Sequence, residues 1–425
     1  MKSRNYLSYM VACLFVFGLG FSSCSNDDDD IDVNPIPDPS EMSYVGSESC
    51  KTCHSDHFED WKDSGHPYKF SLTPGSLGPV YPDVADNFES AWLTNLTDGN
   101  VTWDNIAGVV GGYGWKVRFV GVDGEIIGTK DSQFNPGMGH NQFNFNGGED
   151  HGWSNYHPGD KKTYNYSCFK CHTTGGTQEG TWLAGVEGLG TFTESGIGCE
   201  SCHGPGSVHI EGPTKLNIDK VYEMAHLDNS MGGLEVDGII QKPDAAGNDV
   251  NFLCGTCHNR DYKSPINASG GFIKHHEQWD ELTTTKHIDG GMSCTTCHDP
   301  HKRVIWDGDG IKKTCTSCHS TQTETTNHSA LANCIDCHMP LAAKSGAKTG
   351  DSGYEGDVRS HLMKITVKDE SMFTEDGKWV RDDETRPASL ALEYACLGCH
   401  NRKLPDNIPN ITLEKALSAA KDMHK

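Results

Sequence analysis

Cys-x-x-Cys-His occurs eight times in this chain, beginning at Cys50, Cys168, Cys199, Cys254, Cys294, Cys315, Cys334 and Cys396. Two thiols and an imidazole at this spacing form two thioethers and one iron bond with a c-type haem. At Cys and His frequencies of about 0.04 to 0.05, one chance copy in a chain of about 420 residues has odds of only ~0.04. Eight copies imply eight covalent haems and a polypeptide that must fold around them. The attachment cysteines are Cys50, Cys53, Cys168, Cys171, Cys199, Cys202, Cys254, Cys257, Cys294, Cys297, Cys315, Cys318, Cys334, Cys337, Cys396 and Cys399. The proximal iron ligands are His54, His172, His203, His258, His298, His319, His338 and His400. Zinc and disulfide readings of Cys-x-x-Cys leave the histidine after every pair unexplained.

Only 35% of the 425 residues are hydrophobic, modest for the length. Eight porphyrins would supply the missing apolar bulk. The expected fold is mainly α with long loops, a multihaem cytochrome c fold wrapped around eight covalent haems. It should carry a small β-hairpin insertion. Trp115-Lys116-Val117-Arg118-Phe119 alternates, Asp123-Gly124 turns, and Glu125-Ile126-Ile127 returns. Packing is the plain reading of that hairpin; shielding a haem edge or meeting a partner chain is the sharper one.

The chain divides into a leader at 1–23, an acidic and proline-rich tether at 24–43, a tetrahaem domain at 44–260 and a second at 261–425. The β insertion falls at about 75–165 of the first tetrahaem domain. His275-His276-Glu277-Gln278-Trp279, in the haem-free segment between the halves, is expected to be helical. From Thr412 onward, Leu413, Leu417, Ala420 and Met423 suit one helical face. The motif spacing is irregular, so no fixed-period repeat is present.

The leader has a positive start at Lys2 and Arg4 and a short apolar run from Tyr9 to Phe21, then Ser22-Ser23-Cys24. Phe21-Ser22-Ser23-Cys24 resembles a bacterial lipoprotein cleavage box, with Cys24 the lipid-bearing residue. An ordinary signal peptide is the rival reading, and Cys13 is removed under either. Asp27 to Asp30, then Pro35, Pro37 and Pro39, make an extended solvated tether. Cys24 followed by acids also resembles the surface-export signal of Bacteroidota lipoproteins. Either way the chain is expected beyond the cytoplasm, and under the lipoprotein reading at the outer membrane on its periplasmic or cell-surface face. A net charge of −24 argues against nucleic acid as a partner.

Function turns on the sixth iron position. Filled by histidine, the haem is low-spin and passes electrons with little rearrangement; left open, it can bind substrate. Of 22 histidines, eight belong to motifs, and the surplus favours bis-histidine ligation at most haems. Six distal candidates stand out by placement: His66, His209, His287, His301, His328 and His361. His275, His276, His157, His151 and His226 are weaker candidates, and His57, His140 and His424 are expected at the surface. A compact body of about 380 residues has a radius of gyration of roughly 21 Å, which gives each haem a cell ~20 Å across. Neighbouring haem edges then lie within about 10 Å, close enough for electron tunnelling.

The first half resembles the tetrahaem cytochrome c-554 type. The resemblance rests on Cys50-Lys51-Thr52-Cys53-His54 with Trp61-Lys62-Asp63-Ser64-Gly65-His66, and on Gly198-Cys199-Glu200-Ser201-Cys202-His203-Gly204-Pro205-Gly206. It implies that His66 and His209 are distal ligands to haems other than their neighbours. It also implies that the second haem, on Cys168, Cys171 and His172, lacks a protein distal ligand. The second half resembles the group of pentahaem nitrite reductases and octahaem hydroxylamine oxidoreductases, through Cys297-His298-Asp299-Pro300-His301 and Cys337-His338-Met339-Pro340. The Cys-x-x-Cys-Lys common in those nitrite reductases does not occur.

The leading expectation is therefore an extracytoplasmic electron carrier of respiration or extracellular electron transfer, held at a membrane by its lipid. Its partners would be other cytochromes, a quinol dehydrogenase, a terminal reductase or an extracellular acceptor. The first alternative is a multihaem oxidoreductase acting on a small nitrogen or sulfur species at one open haem. Arg118, Tyr156, Lys161, Lys162 and Tyr164 precede Cys168 and would serve such a pocket, though packing and propionate binding explain them too. The second alternative is a filament-forming surface cytochrome.

Overall fold

The stretch between the first two motifs folds as a sheet because its residues alternate. In strand β3, Lys116–Gly121, Val117 and Phe119 point one way into a buried cluster with Val109, Ile127 and Phe143. The computed structural model describes residues 42–82, 96, 101–133, 140–145, 152–157, 159–214, 217–218, 235–236, 239–240, 248–260, 265–305, 308–322, 332–346, 353–401 and 408–424. The leader, Cys24 and most of the tether lie outside these residues, as do His151, His226 and His328. Residues 38–425 belong to one compact unit.

Five strands run in the order β1 (Phe70–Leu72), β2 (Ile106–Gly111), β3, β4 (Gln142–Asn144) and β5 (Gly152–Ser154), each antiparallel to the next. The insertion is thus larger than the expected hairpin. Asp123-Gly124 does turn the chain, but the return strand is reduced to a bridge between Val120 and Ile126. The main partner of β3 is β2. Ile106-Ala107-Gly108-Val109-Val110-Gly111 lacks polar alternation, and β1, β4 and β5 have three residues each, so the sequence pattern carried no signal for them.

The second face of the sheet rests on the second haem motif. Phe70 is fully buried and stacks on Tyr164 at 4.1 Å between ring centres. Tyr164 in turn meets Phe169, which lies inside the helix Tyr166–His172 that bears Cys168 and Cys171. The inserted sheet therefore buttresses one haem site in particular.

Elsewhere the helices are short. Among the described residues the longest α-helices have eight residues (Ser55–Lys62, Asn248–Gly255 and Leu413–Ala420), and no helix is long and apolar enough to cross a membrane. A second core, around Ile273, Leu362, Met372 and Leu390, supports the C-terminal half. There Phe272–Lys274 pairs with Ala268–Ser269 and, in parallel, with Ala343–Lys344. His275 and His276 are not helical: the strand ends at Lys274, His276 has φ +70°, and the helix starts only at Gln278. Buried Glu277 accepts from Asn267 N at 3.3 Å and anchors this corner. The last helix begins as expected, with Thr412 Oγ1 accepting from Lys415 N at 3.2 Å.

Candidate haem sites and the pocket beside His172

Each motif winds into about one helical turn. Cys50 O accepts from His54 N at 2.9 Å, Cys199 O from His203 N at 3.0 Å, Cys254 O from His258 N at 2.9 Å, and Cys294 O from His298 N at 3.0 Å. Positions i, i+3 and i+4 of a turn share one face, so both sulfurs and the imidazole project toward one ligand. Residues just before the motifs start these turns: Asn165 Oδ1 accepts from Ser167 N, while Ser293 and Asn333 form reciprocal caps with Thr296 and Asp336. All sixteen motif cysteines are free of disulfides, and the described residues hold no three-residue His, Cys, Asp or Glu cluster suited to a metal ion.

Two imidazoles sharing one iron have ring centres about 6.3 Å apart, given N–metal bonds of ~2.0 Å and a centre-to-nitrogen distance of ~1.15 Å in the ring. Six histidine pairs stand near that value. The separations are 6.3 Å for His54 and His209, 6.2 Å for His203 and His301, and 6.3 Å for His258 and His276. They are 6.2 Å for His298 and His361, 6.1 Å for His319 and His287, and 5.8 Å for His338 and His424. The residues present thus fit irons held from both sides.

Four of the six favoured distal candidates, His209, His287, His301 and His361, fall into these pairs. His66 is half-buried and lies in the electrostatic surroundings of His258 and His301. His328 lies outside the described residues. His276 and His424 join pairs that sequence reasoning did not assign. His424 is brought over the seventh motif by the C-terminal helix, a return that no local pattern announces. The remaining histidines take other roles. Exposed His57 lies 4.6 Å from the His301 ring, His157 pairs with Asp160 at 2.7 Å, and His140 is exposed. Nδ1–H bonds orient several rings: His338 to Met363 O at 2.7 Å, His400 to Pro409 O at 2.8 Å, and His209 to Asn217 Oδ1 at 3.0 Å.

Electrostatic proximity between motif cysteines orders the sites in space. Cys50 acts electrostatically on Cys199, Cys171 on Cys257, Cys254 on Cys294, and Cys315 on Cys334. Electrostatic proximity links Cys202 to Cys257, Cys297 to Cys318, and Cys337 to Cys396. The motifs therefore follow one another as first, third, fourth, fifth, sixth, seventh and eighth, with the second branching from the fourth. Motif residues of the second through eighth sites line one continuous cavity of about 2570 Å³.

His172 differs from the six motif histidines that belong to these pairs. Among the described residues no histidine ring stands across from it at the paired distance. Its Nδ1–H donates to Lys69 O at 2.9 Å, and Tyr164 stands edge-on at 6.1 Å. Burial first, and then the cations Lys69, Arg118 and Lys116, push His172 down to about 4. Lys116 and Arg118 come from the face of β3 opposite Val117 and Phe119, and both line the cavity. Lys116 Nζ donates to Ser345 O at 2.8 Å and lies 3.3 Å from His275 Nε2. Arg118 Nε donates to Gln142 Oε1 at 2.7 Å, and its guanidinium lies 3.5 Å from the Tyr156 ring centre. Arg260 reaches His275 at 3.2 Å. Desolvation lowers Lys116 to about 7 and drives His275 down to about 2. Of the residues expected near such a pocket, Arg118, Tyr156 and Tyr164 are here. Tyr164 packs beneath Phe70, Lys161 is 3.5 Å from Glu125, and Lys162 is 3.8 Å from Asp160. The alternation of Lys116 and Arg118 with Val117 and Phe119 was the signal for the cationic face, but in sequence it reads equally well as solvent-facing.

A chain built in this way is a multihaem cytochrome c and carries covalently attached c-type haems. A family model for cytochrome c554 and c-prime matches residues 143–204, which include the second and third motifs. The dissimilatory sulfite reductase MccA of Wolinella succinogenes is 24% identical over 403 residues, covering 76% of this chain and 55% of that protein. The multiheme cytochrome MtrA of Shewanella baltica is 26% identical over 186 residues, 41% of this chain and 45% of that one. The chain thus spans about half the length of the curated relatives it matches. The octaheme sulfite reductase MccA structure from Wolinella succinogenes shares the fold, with a TM-score of 0.56 and 17% identity over 90% of this chain and 71% of that one.

Proposed function

We propose that this chain is an octahaem electron-transfer protein working outside the cytoplasm, with one catalytic position, at His172, for a small sulfur or nitrogen oxoanion. The observation that carries this reading is the cationic cluster beside a motif histidine that, among the described residues, has no histidine ring across from it. When bound, the haems supply one-electron transfer, and an iron with an open position supplies a place for substrate. The protein residues supply the rest. Arg118, clamped by Gln142 and stacked on Tyr156, presents a fixed planar donor suited to oxygen atoms. Lys116, steered by Ser345 O and brought by desolvation to about 7, adds a group that can donate a hydrogen bond or a proton to a bound anion. Tyr164 and the sheet behind it hold the His172 helix in place and keep bulk water from that side. Similarity to a sulfite reductase over 76% of this chain supports the same reading.

The unbroken succession of motifs supports a second reading, a pure carrier between a respiratory donor and a cytochrome, reductase or extracellular acceptor. A lipid on Cys24 would hold either version at the outer membrane; Cys24→Ser would then release the protein from the membrane fraction. Electron paramagnetic resonance of the oxidised protein separates the two readings. A high-spin ferric signal that shifts with sulfite or nitrite supports the catalytic reading, and low-spin signals only would overturn it. A pyridine haemochrome count of eight per chain checks the haem number.

A further inference from the structure

The chain has 59 acidic residues against 35 lysines and arginines, yet its sixth motif stands in a basic stretch. No carboxylate occurs from Gly310 to Gln322, where Lys312-Lys313-Thr314 leads into Cys315. Every residue from Ile311 to Gln322 is exposed, Cys315, Cys318 and His319 included. The fifth motif holds this stretch from behind. Lys312 N donates to Cys297 O at 2.8 Å, and Ile311 bridges to His298. A third lysine arrives from the distal side. Thr285 Oγ1 accepts from His287 N at 3.3 Å and starts the short helix Lys286–Asp289. That helix sets the His287 ring 6.1 Å from the His319 ring and leaves Lys286 exposed. Among the described residues no carboxylate pairs with Lys286, Lys312 or Lys313. Asp309 is already held by Lys302 at 3.1 Å and Asp299 by His301 at 3.1 Å, while Asp289 is exposed. The first motif also exposes a cysteine, Cys53, but Glu48, Asp56 and Glu59 stand exposed on its flanking helices.

We propose that the face carrying Lys286, Lys312 and Lys313 around the sixth motif is the docking surface for an acidic electron-transfer protein. Complementary charge steers a redox partner and fixes its orientation, and like charge rejects it elsewhere. A chain of net charge −24 repels an acidic partner over most of its surface, the first motif included. Such a partner therefore meets the haems at one place. Thr314, Thr316, Ser317 and Gln322, exposed beside the lysines, suit the small polar interface of a transient redox complex. One electron is lost by the partner and gained by the haem iron, and no bond is made or broken. The inference rests on the electron-transfer reading and on a haem being attached at the sixth motif.

The test is stopped-flow reduction of the fully loaded protein by reduced plant-type ferredoxin, an acidic one-electron donor. A variant combining Lys286→Gln, Lys312→Gln and Lys313→Gln should be reduced about 10-fold more slowly at low salt. The two rates should converge at high salt, and arginine at the three positions should restore the wild-type rate. Equal rates at low salt would overturn the proposal. So would a slowing that persists at high salt, because the lysines would then act on the haem and not on the partner. Self-association of the wild type that the triple variant loses, with unchanged ferredoxin rates, would assign the face to a second copy and overturn it too. If the triple variant loads poorly, Lys312→Gln alone must show a smaller slowing that salt abolishes. A wild-type protein without haem on Cys315 and Cys318 by mass spectrometry would overturn the haem reading instead. Haems that dithionite leaves oxidised would overturn the electron-transfer reading, and both outcomes are distinct from equal ferredoxin rates.

Discussion

The rings of His338 and His424 lie 5.8 Å apart with their planes 22° from parallel, one ring in the seventh motif and the other at the end of the last helix. The arrangement fits one iron between them. Replacing His424 with Ala is expected to turn one low-spin haem high-spin and leave the haem count unchanged. Magnetic circular dichroism of the oxidised protein reads this directly; an unaltered low-spin population would exclude His424 as a ligand.

Lys116 and Arg118 are expected to act by binding rather than by folding, because both lie on the cavity face of β3. A hydrogen bond to a charged group is worth about 1.5–3 kcal/mol, about 10- to 100-fold in affinity. Lys116→Met and Arg118→Met should each weaken sulfite or nitrite binding by that factor, measured by optical titration. Equal affinity in both variants would remove the cluster from the substrate site.

Glu200 holds the start of the fold to the third motif. It is 2% exposed, and its carboxylate accepts from Val45 N at 2.9 Å, Gly46 N at 2.8 Å and Gly206 N at 2.7 Å. Glu200→Ala leaves three N–H groups unpaired, at a cost of about 3 kcal/mol or more. A fall in thermal midpoint of several degrees is expected by calorimetry, together with faster proteolysis near Val45.

Gly108 allows β1 to approach β2. A Cβ there would stand 2.4 Å from Phe70 Cζ, and Phe70 is fully buried against Tyr164. Gly108→Ala should therefore destabilise by about 1–3 kcal/mol through overpacking. Because Phe70 supports the His172 helix, the optical spectrum of that haem should change as well; a silent substitution would show that the sheet does not buttress the site.

What the sequence by itself determined is whatever needs only neighbours along the chain. Cysteines and histidine at i, i+3 and i+4 share a face of any helical turn, so all eight motifs were legible without a fold. The alternation around Val117 and Phe119 announced β structure for the same reason. Pairings across the chain were different. His301 stands opposite His203, His361 opposite His298 and His424 opposite His338, yet nothing local links the members of each pair. The size of the sheet was hidden because β1, β4 and β5 are too short for a period to register. The pocket beside His172 depended most on tertiary structure. Lys116 and Arg118 would be ordinary solvated side chains on an exposed strand. Packing the sheet against Phe169 and the Ser345 loop turns their face inward, where both basic groups are desolvated beside the second motif.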